Sequence, residues 1–421
     1  MNPEDPSADL RTGGDLAVGA PFRVGVNYWP RRKAMGWWKD FDAAEVADEF
    51  DVVAGLGLRL VRIFLLWEDF QPTPTTVSAT ALADLETVCD LAAERALGLD
   101  VTFFTGHMSG PNWVPSWLLG GREPVPAGRQ VVSGTNEDAG SYRNPFVDPE
   151  ALRAAELQLR TVVARLRQHP AIWAWNLGNE PDLFARPPDE AAAQDWARRL
   201  FGAIRELDDR HHLTVGLHAP SLSTDNGLRV DRLFAEADVS VMHAYPVYAN
   251  FGAAPLDPDA VPFATALTAA LSGRPAVMEE FGACTAPPGQ DTTTWEWQAL
   301  GQAWSQVMVS EEALAEHLAE VLPRLVEVGA AGALLWCFAD YHEDLWGRPP
   351  CDTKLHERHF GLVRPDGSEK PHAEVVRRFV ASRPVIAAPS ARARMVVDAD
   401  AFHADPAASS ARLFGDFKAG R

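Results

Sequence analysis

Short apolar runs and longer amphipathic runs alternate along most of this chain. Eight apolar runs, at residues 22–30, 59–67, 99–105, 172–181, 213–218, 239–245, 275–280 and 332–338, read as strands. Polar alternation within them is weak, which suits strands buried on both faces of a parallel sheet. Residues 42–55, 79–97, 148–168, 189–208, 262–271, 311–328 and 372–381 carry apolar positions at helical spacing. Asp42 and Asp148 stand where helix N-caps belong. This alternation predicts parallel strands joined by crossover helices. Eight such strands predict an α/β protein with one closed (β/α)8 TIM barrel. Three parts lie outside that rhythm. Residues 1–20 read as a flexible leader to a barrel domain at 21–382. Residues 109–144 form an extended loop after the third strand, whose tryptophans predict an ordered wall. Residues 383–421 read as a short C-terminal extension, with a small strand or turn at 395–406 and a helical cap at 412–417.

The polar residues that end these runs carry the chemistry. The run at 172–181 stops at Asn179-Glu180-Pro181, which puts a carboxylate at a strand's carboxyl end, where barrels place ligands. Apolar neighbours there predict a raised carboxyl pKa and a general acid. Other runs lead to Asn27 and Trp29, Arg62 and Trp67, His107, His243 and Tyr245, Glu279-Glu280-Phe281-Gly282, and Trp336 with Asp340. In a barrel these all converge on one face. The fourth and seventh strands lie nearly opposite each other, so Glu180 and Glu280 can flank a small substrate. Glycosidic cleavage needs such a pair, one to protonate the leaving oxygen and one beside the anomeric carbon. Carboxyls about 5–5.5 Å apart give retention, and a wider gap allows inversion. Side chains alternate along a strand, so only one of Glu279 and Glu280 is expected to point inward, the other facing out or supporting it.

Charge and composition narrow the partners. Asp and Glu number 58 against 38 Lys and Arg, a net charge of −20, which excludes nucleic acid and acidic membrane surfaces as partners. Neither an export signal nor an apolar run of membrane-spanning length is visible. Cys89, Cys284, Cys337 and Cys351 form no CxxC pair, which predicts reduced thiols in a cytoplasmic protein. No metal or cofactor is expected. Residues 356–359, His-Glu-Arg-His, lack the HExxH spacing and read as a structural loop. His211 and His212, at the opposite end of the barrel, read as solvated.

The joint order of these motifs resembles glycoside hydrolase clan A, most closely family 5. The likeness rests on Asn179-Glu180, Glu280-Phe281-Gly282, Arg62, His107, His243, Tyr245 and Trp336, and spans roughly residues 22–379. The resemblance implies Glu180 as acid/base and Glu280 as nucleophile. It implies Arg62 and Tyr245 as donors to Glu280, Asn179 on the substrate 2-hydroxyl, and Trp336 as a flat face for the sugar ring. His107 and His243 become hydroxyl or carboxylate partners. Trp29, Trp67, Trp113 and Asp340 are further candidate sugar contacts. The Glu-aromatic-Gly match selects Glu280 over Glu279.

Residues 25–38, 62–72, 104–110, 346–352 and 356–368 resemble the microbial family 5 branch containing β-mannosidases and related exo-β-glycosidases. That likeness implies a retaining exo-β-mannosidase acting on short β-linked oligosaccharides. The loops after the third and eighth strands would close the non-reducing end of its cleft. An endo-β-1,4-mannanase or endoglucanase, with an open cleft, is the alternative; a carbohydrate-binding protein without activity is another.

Overall fold

The computed structural model describes residues 15–123, 125, 128–134, 141–248 and 254–420. Eight parallel strands form the centre: β1 (Arg23–Asn27), β2 (Leu60–Leu66), β3 (Gly98–Thr105), β4 (Ile172–Asn179), β5 (His212–Gly216), β6 (Ser240–His243), β7 (Ala276–Phe281) and β8 (Gly332–Leu335). Hydrogen-bonded neighbours run β5-β4-β3-β2-β1-β8-β7-β6. A parallel bridge between His218 and His243 joins the two ends, so the sheet is a barrel. Every residue of these eight strands except Arg23 is buried, which accounts for the uninterrupted apolar runs.

Helices α1 (Ala43–Gly55), α2 (Ala79–Glu94), α3 (Pro149–Leu166), α4 (Glu190–Arg205), α5 (Ala260–Ser272), α6 (Glu311–Glu327) and α7 (Pro371–Ala381) surround the barrel. The carboxylates of Asp42, Asp148 and Asp189 accept from first-turn amides of α1, α3 and α4, satisfying donors that a helix start leaves open.

Three expectations change. Most of the expected leader, residues 1–14, lies outside the described residues, but its end is packed rather than flexible. Asp15 is buried at the barrel floor, where it accepts from Arg23, Trp173 Nε1 at 3.0 Å and His212 Nε2 at 2.9 Å. An ionic plug of this kind leaves no signal in hydrophobic patterning. Second, residues 293–308 form an antiparallel hairpin, Thr293–Ala299 with Gln302–Met308, which the apolar pattern does not predict. Its strands are largely exposed, so they lack a core-facing stripe. Third, the extension forms two helices, α8 (Ala399–Ala404) and α9 (Pro406–Lys418), separated by Asp405. Phe414 and Phe417 of α9 pack on Phe263 of α5, with ring centroids 5.0 and 5.6 Å apart.

Candidate active site

The barrel axis holds polar residues just beneath its mouth. Arg62 is completely buried on β2. Its Nε donates to Thr102 Oγ1 at 2.8 Å, and its terminal nitrogens reach Asn179 Oδ1 at 3.1 Å, Glu279 Oε2 at 3.3 Å and Glu280 Oε1 at 2.5 Å. Glu279 and Glu280 therefore both face inward, against strict alternation. The register of β7 shifts after Met278 against both neighbours, and this bulge turns successive side chains to one side. Glu279 lies deeper, held by Asn176 Nδ2 at 3.0 Å and His243 Nε2 at 2.9 Å. Glu280 lies at the mouth, where the Tyr245 hydroxyl donates to its Oε2 at 2.6 Å.

Glu180 follows β4 in a left-handed conformation, φ 46° and ψ 58°. That conformation is disfavoured for a residue with a side chain by about 1–2 kcal/mol. A backbone bond to Gly216 O at 2.9 Å helps hold it. The turn sends the carboxylate over the barrel mouth, where Oε1 meets His243 Nδ1 at 2.9 Å. Oxygens of Glu180 and Glu280 come within 4.8 Å of each other. Two glycines permit the approach. A Cβ on Gly216 would lie 2.8 Å from Arg62 Nη2, and one on Gly282, at φ +152°, would lie 2.7 Å from Trp336 O.

Glu180, His243 and Glu280 are spaced as cation ligands could be. Yet both ring nitrogens of His243 and both oxygens of Glu280 already have partners, so the trio reads as an acid–base cluster.

The electrostatics correct one expectation. Burial pushes Glu180 up, but the charge of His218 and the hydrogen bond from His243 outweigh it and hold the carboxyl below its usual range. Glu280 is raised by burial, against the pull of His243 and Arg62. Burial works against a charged His243, but the charge of Glu280 and the hydrogen bonds that the imidazole donates to Glu180 and Glu279 raise it to about 9. The unliganded site therefore keeps the proton on the imidazole, one hydrogen bond from Glu180. His107 is the opposite case, pushed down to about 3 by burial and by Arg129.

A cavity of about 460 Å³ opens above these groups. Of the sequence candidates, His107, Asn179, Glu180, His243, Tyr245, Glu280 and Trp336 line it, with Arg62 directly beneath. Four candidates do not. Trp29 is fully buried and stacks on Phe64 at 4.9 Å. Trp67 packs behind the strands against Phe104 and Trp117. Trp113 lines a separate groove with Lys33 and Arg348. Asp340 is buried in an ion pair with Lys370 Nζ at 2.7 Å. A position at or beyond a strand end does not fix direction, and these side chains turn into packing away from the axis.

His211 and His212 are buried rather than solvated, each on a carboxylate, Asp208 at 2.6 Å and Asp15 at 2.9 Å. The 356–359 segment is also more than a structural loop, because His356 and Glu357 line the cavity. Trp297 and Trp304, two of the tryptophans outside the barrel strands, also line it, and sequence reasoning missed His218, Tyr248 and Lys354. Only His218 had a signal available, as the last residue of the predicted fifth strand. Its Nε2 meets Asp182 Oδ2 at 2.9 Å, and its Nδ1 faces Glu180 Oε1 at 3.8 Å.

Comparison with known proteins fits this geometry. A model of the glycosyl hydrolases family 2 TIM barrel domain matches residues 125–382, more than half of the chain. The chain belongs to that family of glycosyl hydrolase barrels. Its solved neighbours carry the family 5 likeness seen in the motifs. A GH5_18 protein from Streptomyces cattleya, solved in complex with GlcNAc, is 23% identical and superposes with a TM-score of 0.75. That match covers 95% of this chain and 90% of the other. An exo-β-1,4-mannosidase from Opitutaceae bacterium strain TAV5 is 25% identical with a TM-score of 0.69, over 86% of this chain and 60% of the other. Among curated proteins, mannan endo-1,4-β-mannosidase A of Hypocrea jecorina is 24% identical over 298 residues. The match spans 63% of this chain and 63% of that mannanase's own length.

Proposed function

We propose that the protein is a retaining β-glycosidase working by double displacement, and that it is an exo-acting β-mannosidase on short oligosaccharides. The observation that carries the reaction is the approach of the Glu180 and Glu280 oxygens to within 4.8 Å across the mouth, with Glu180 hydrogen-bonded to His243 and Glu280 to Arg62 and Tyr245. That proximity lies on the short side of the carboxyl spacing, about 5–5.5 Å, at which the second carboxylate attacks directly, rather than the wider gap of inverting enzymes. Glu280 attacks the anomeric carbon, and the bond to the leaving oxygen breaks as that oxygen takes a proton from Glu180. The proton comes through His243 Nδ1. In the second step a water loses its proton to Glu180, adds to the anomeric carbon and frees Glu280. Arg62 and Tyr245 hold Glu280 in line, and Asn179 offers an amide hydrogen to the sugar 2-hydroxyl. Trp336 supplies an apolar face to the ring.

The exo reading is supported by how the loops meet. Thr353, beyond β8, reaches Gln130 in the loop after β3 at 3.3 Å, and Trp297 of the hairpin donates to Thr353 O at 2.8 Å. Three segments thereby interlock at one end of the cavity. The mannoside preference is supported by the names of the relatives. The same reading puts the enzyme in the cytoplasm, whose reducing conditions suit four buried, unbonded cysteines.

Aryl β-mannoside, β-glucoside and β-galactoside compared side by side test the sugar. Fastest turnover of the mannoside is expected, and preferred internal cleavage of mannan would sink the exo reading. Glu280→Ala should abolish turnover. Glu180→Ala should lose turnover except on substrates with good leaving groups, where added azide restores part of the rate. Unchanged rates in either variant would remove that residue's role.

A further inference from the structure

Two buried polar side chains in the cavity take no part in the reaction just described. Glu357 is only 10% exposed at its side chain, and its Oε2 is buried with no hydrogen-bond partner among the described residues. Its Oε1 lies 3.5 Å from His356 Nε2. Lys354 is 8% exposed. Its ammonium sits 2.9 Å above the Trp304 ring, and no carboxylate among the described residues pairs with it at ion-pair distance. Burial pushes Lys354 down to about 8 and Glu357 up to about 7. Such groups are costly to bury unless a ligand completes their hydrogen bonds.

Their place in the barrel says which part of a ligand they meet. In the eight-strand ring, β8 lies opposite β4. Glu180 stands at the end of β4 and faces the leaving oxygen. The far end of the sugar in the cleaved bond therefore points toward the loop after β8, which carries Lys354 and Glu357. At that end the loops after β8 and β3 meet through Thr353 and Gln130. The Lys354 stem packs against Gly110 from the loop after β3, where a Cβ would lie 2.7 Å from Lys354 Cγ. Trp297 and Trp304 stack 6.4 Å apart at the side. A sugar shows hydroxyls there, and each hydroxyl both donates and accepts. An ammonium donor beside a carboxyl acceptor complements them.

We propose that Lys354 and Glu357 are specificity-determining residues that read the 4-hydroxyl and its neighbour at the non-reducing end of the sugar, and so make the enzyme exo-acting. This rests on Glu180 as the proton donor. A chain continuing through O4 would lose both contacts and meet the interlocked loops.

The test compares 4-nitrophenyl β-mannoside with its 4-deoxy analogue. The wild-type protein should prefer the parent by about 10- to 100-fold in kcat/KM. In Lys354→Met, which keeps the packed stem, and in Glu357→Ala, that preference should fall to within about threefold, mainly through KM. Glu357→Gln, which keeps shape and an acceptor oxygen, should fall between. A wild-type enzyme indifferent to the 4-hydroxyl overturns the inference, and so does an undiminished preference in both variants. Turnover of neither glycoside by the wild-type protein would instead overturn the proposed activity together with this inference.

Discussion

Glu180 illustrates what a single residue's surroundings add to its identity. Its place at a strand end was readable from the Asn-Glu-Pro run, and so was its pairing with Glu280. Its protonation was not, because the histidines that hold it ionised come from β6 and from the segment after β5. His243 makes this measurable. The ordinary histidine value is 6.5, and His243 is raised to about 9. Below that pH the imidazolium is present and supplies Glu180. As pH rises through about 9 the proton is lost, so kcat/KM should fall on an alkaline limb centred near pH 9. His243→Gln should lower kcat by about 100-fold and remove that limb. A pH–rate profile checks both, and a limb unchanged in the variant would assign it to another group. The four misplaced candidates, Trp29, Trp67, Trp113 and Asp340, show the converse. Residue type and chain position suggested sugar contacts, but side-chain direction depends on packing that only the folded chain defines.

Elements were the most legible level. The barrel strands and their helices fall within a few residues of the apolar runs, because a strand buried on both faces has little choice of composition. What escaped were features set by backbone geometry. The bulge in β7 brings Glu279 and Glu280 to the same guanidinium, and nothing in the Glu-Glu pair announces it. The hairpin at 293–308 escaped because its strands are largely exposed and two of its tryptophans, Trp297 and Trp304, face the cavity rather than a core. The β4–β5 junction offers a test of how close these elements must lie. In Gly216→Ala the added methyl would meet Gly178 O at 2.7 Å, Arg62 Nη2 at 2.8 Å and Glu279 Oε2 at 3.1 Å. The guanidinium must shift and loosen its hold on Glu280. We expect kcat to drop about 100-fold with native secondary structure retained, read by kinetics and circular dichroism. Wild-type kinetics in a folded variant would show that Arg62's position is not critical.

Across the whole molecule, two segments far apart in the chain brace the barrel at separate places. Asp15 plugs the floor. The C-terminal helix α9 lies against α5, and Ser410 on it donates to Leu222 O in the short helix Pro220–Ser223. That short helix follows His218, and its first residue, Pro220, lines the cavity. The tail therefore supports a wall of the active site as well as the barrel's flank. Phe414→Ala should cost about 3 kcal/mol, read as a lower denaturant midpoint, by emptying the contact with Phe263. An unchanged midpoint would mean that α9 is not part of the cooperative fold. The sequence suggested only a helical cap here, because the large buried apolar residues of α9, Leu413, Phe414 and Phe417, all lie in its second half.

The interlocked loops also govern traffic. On the proposed exo reading one end of the cavity is shut, so the departing aglycone vacates the route by which the next molecule reaches the esterified Glu280. Water and added alcohols then compete for one entrance. An acceptor sugar present in excess is placed to intercept the intermediate, so the wall proposed to limit cleavage to chain ends should also favour transglycosylation. The freed monosaccharide must leave by that entrance too, which makes it a competitive inhibitor of the next round.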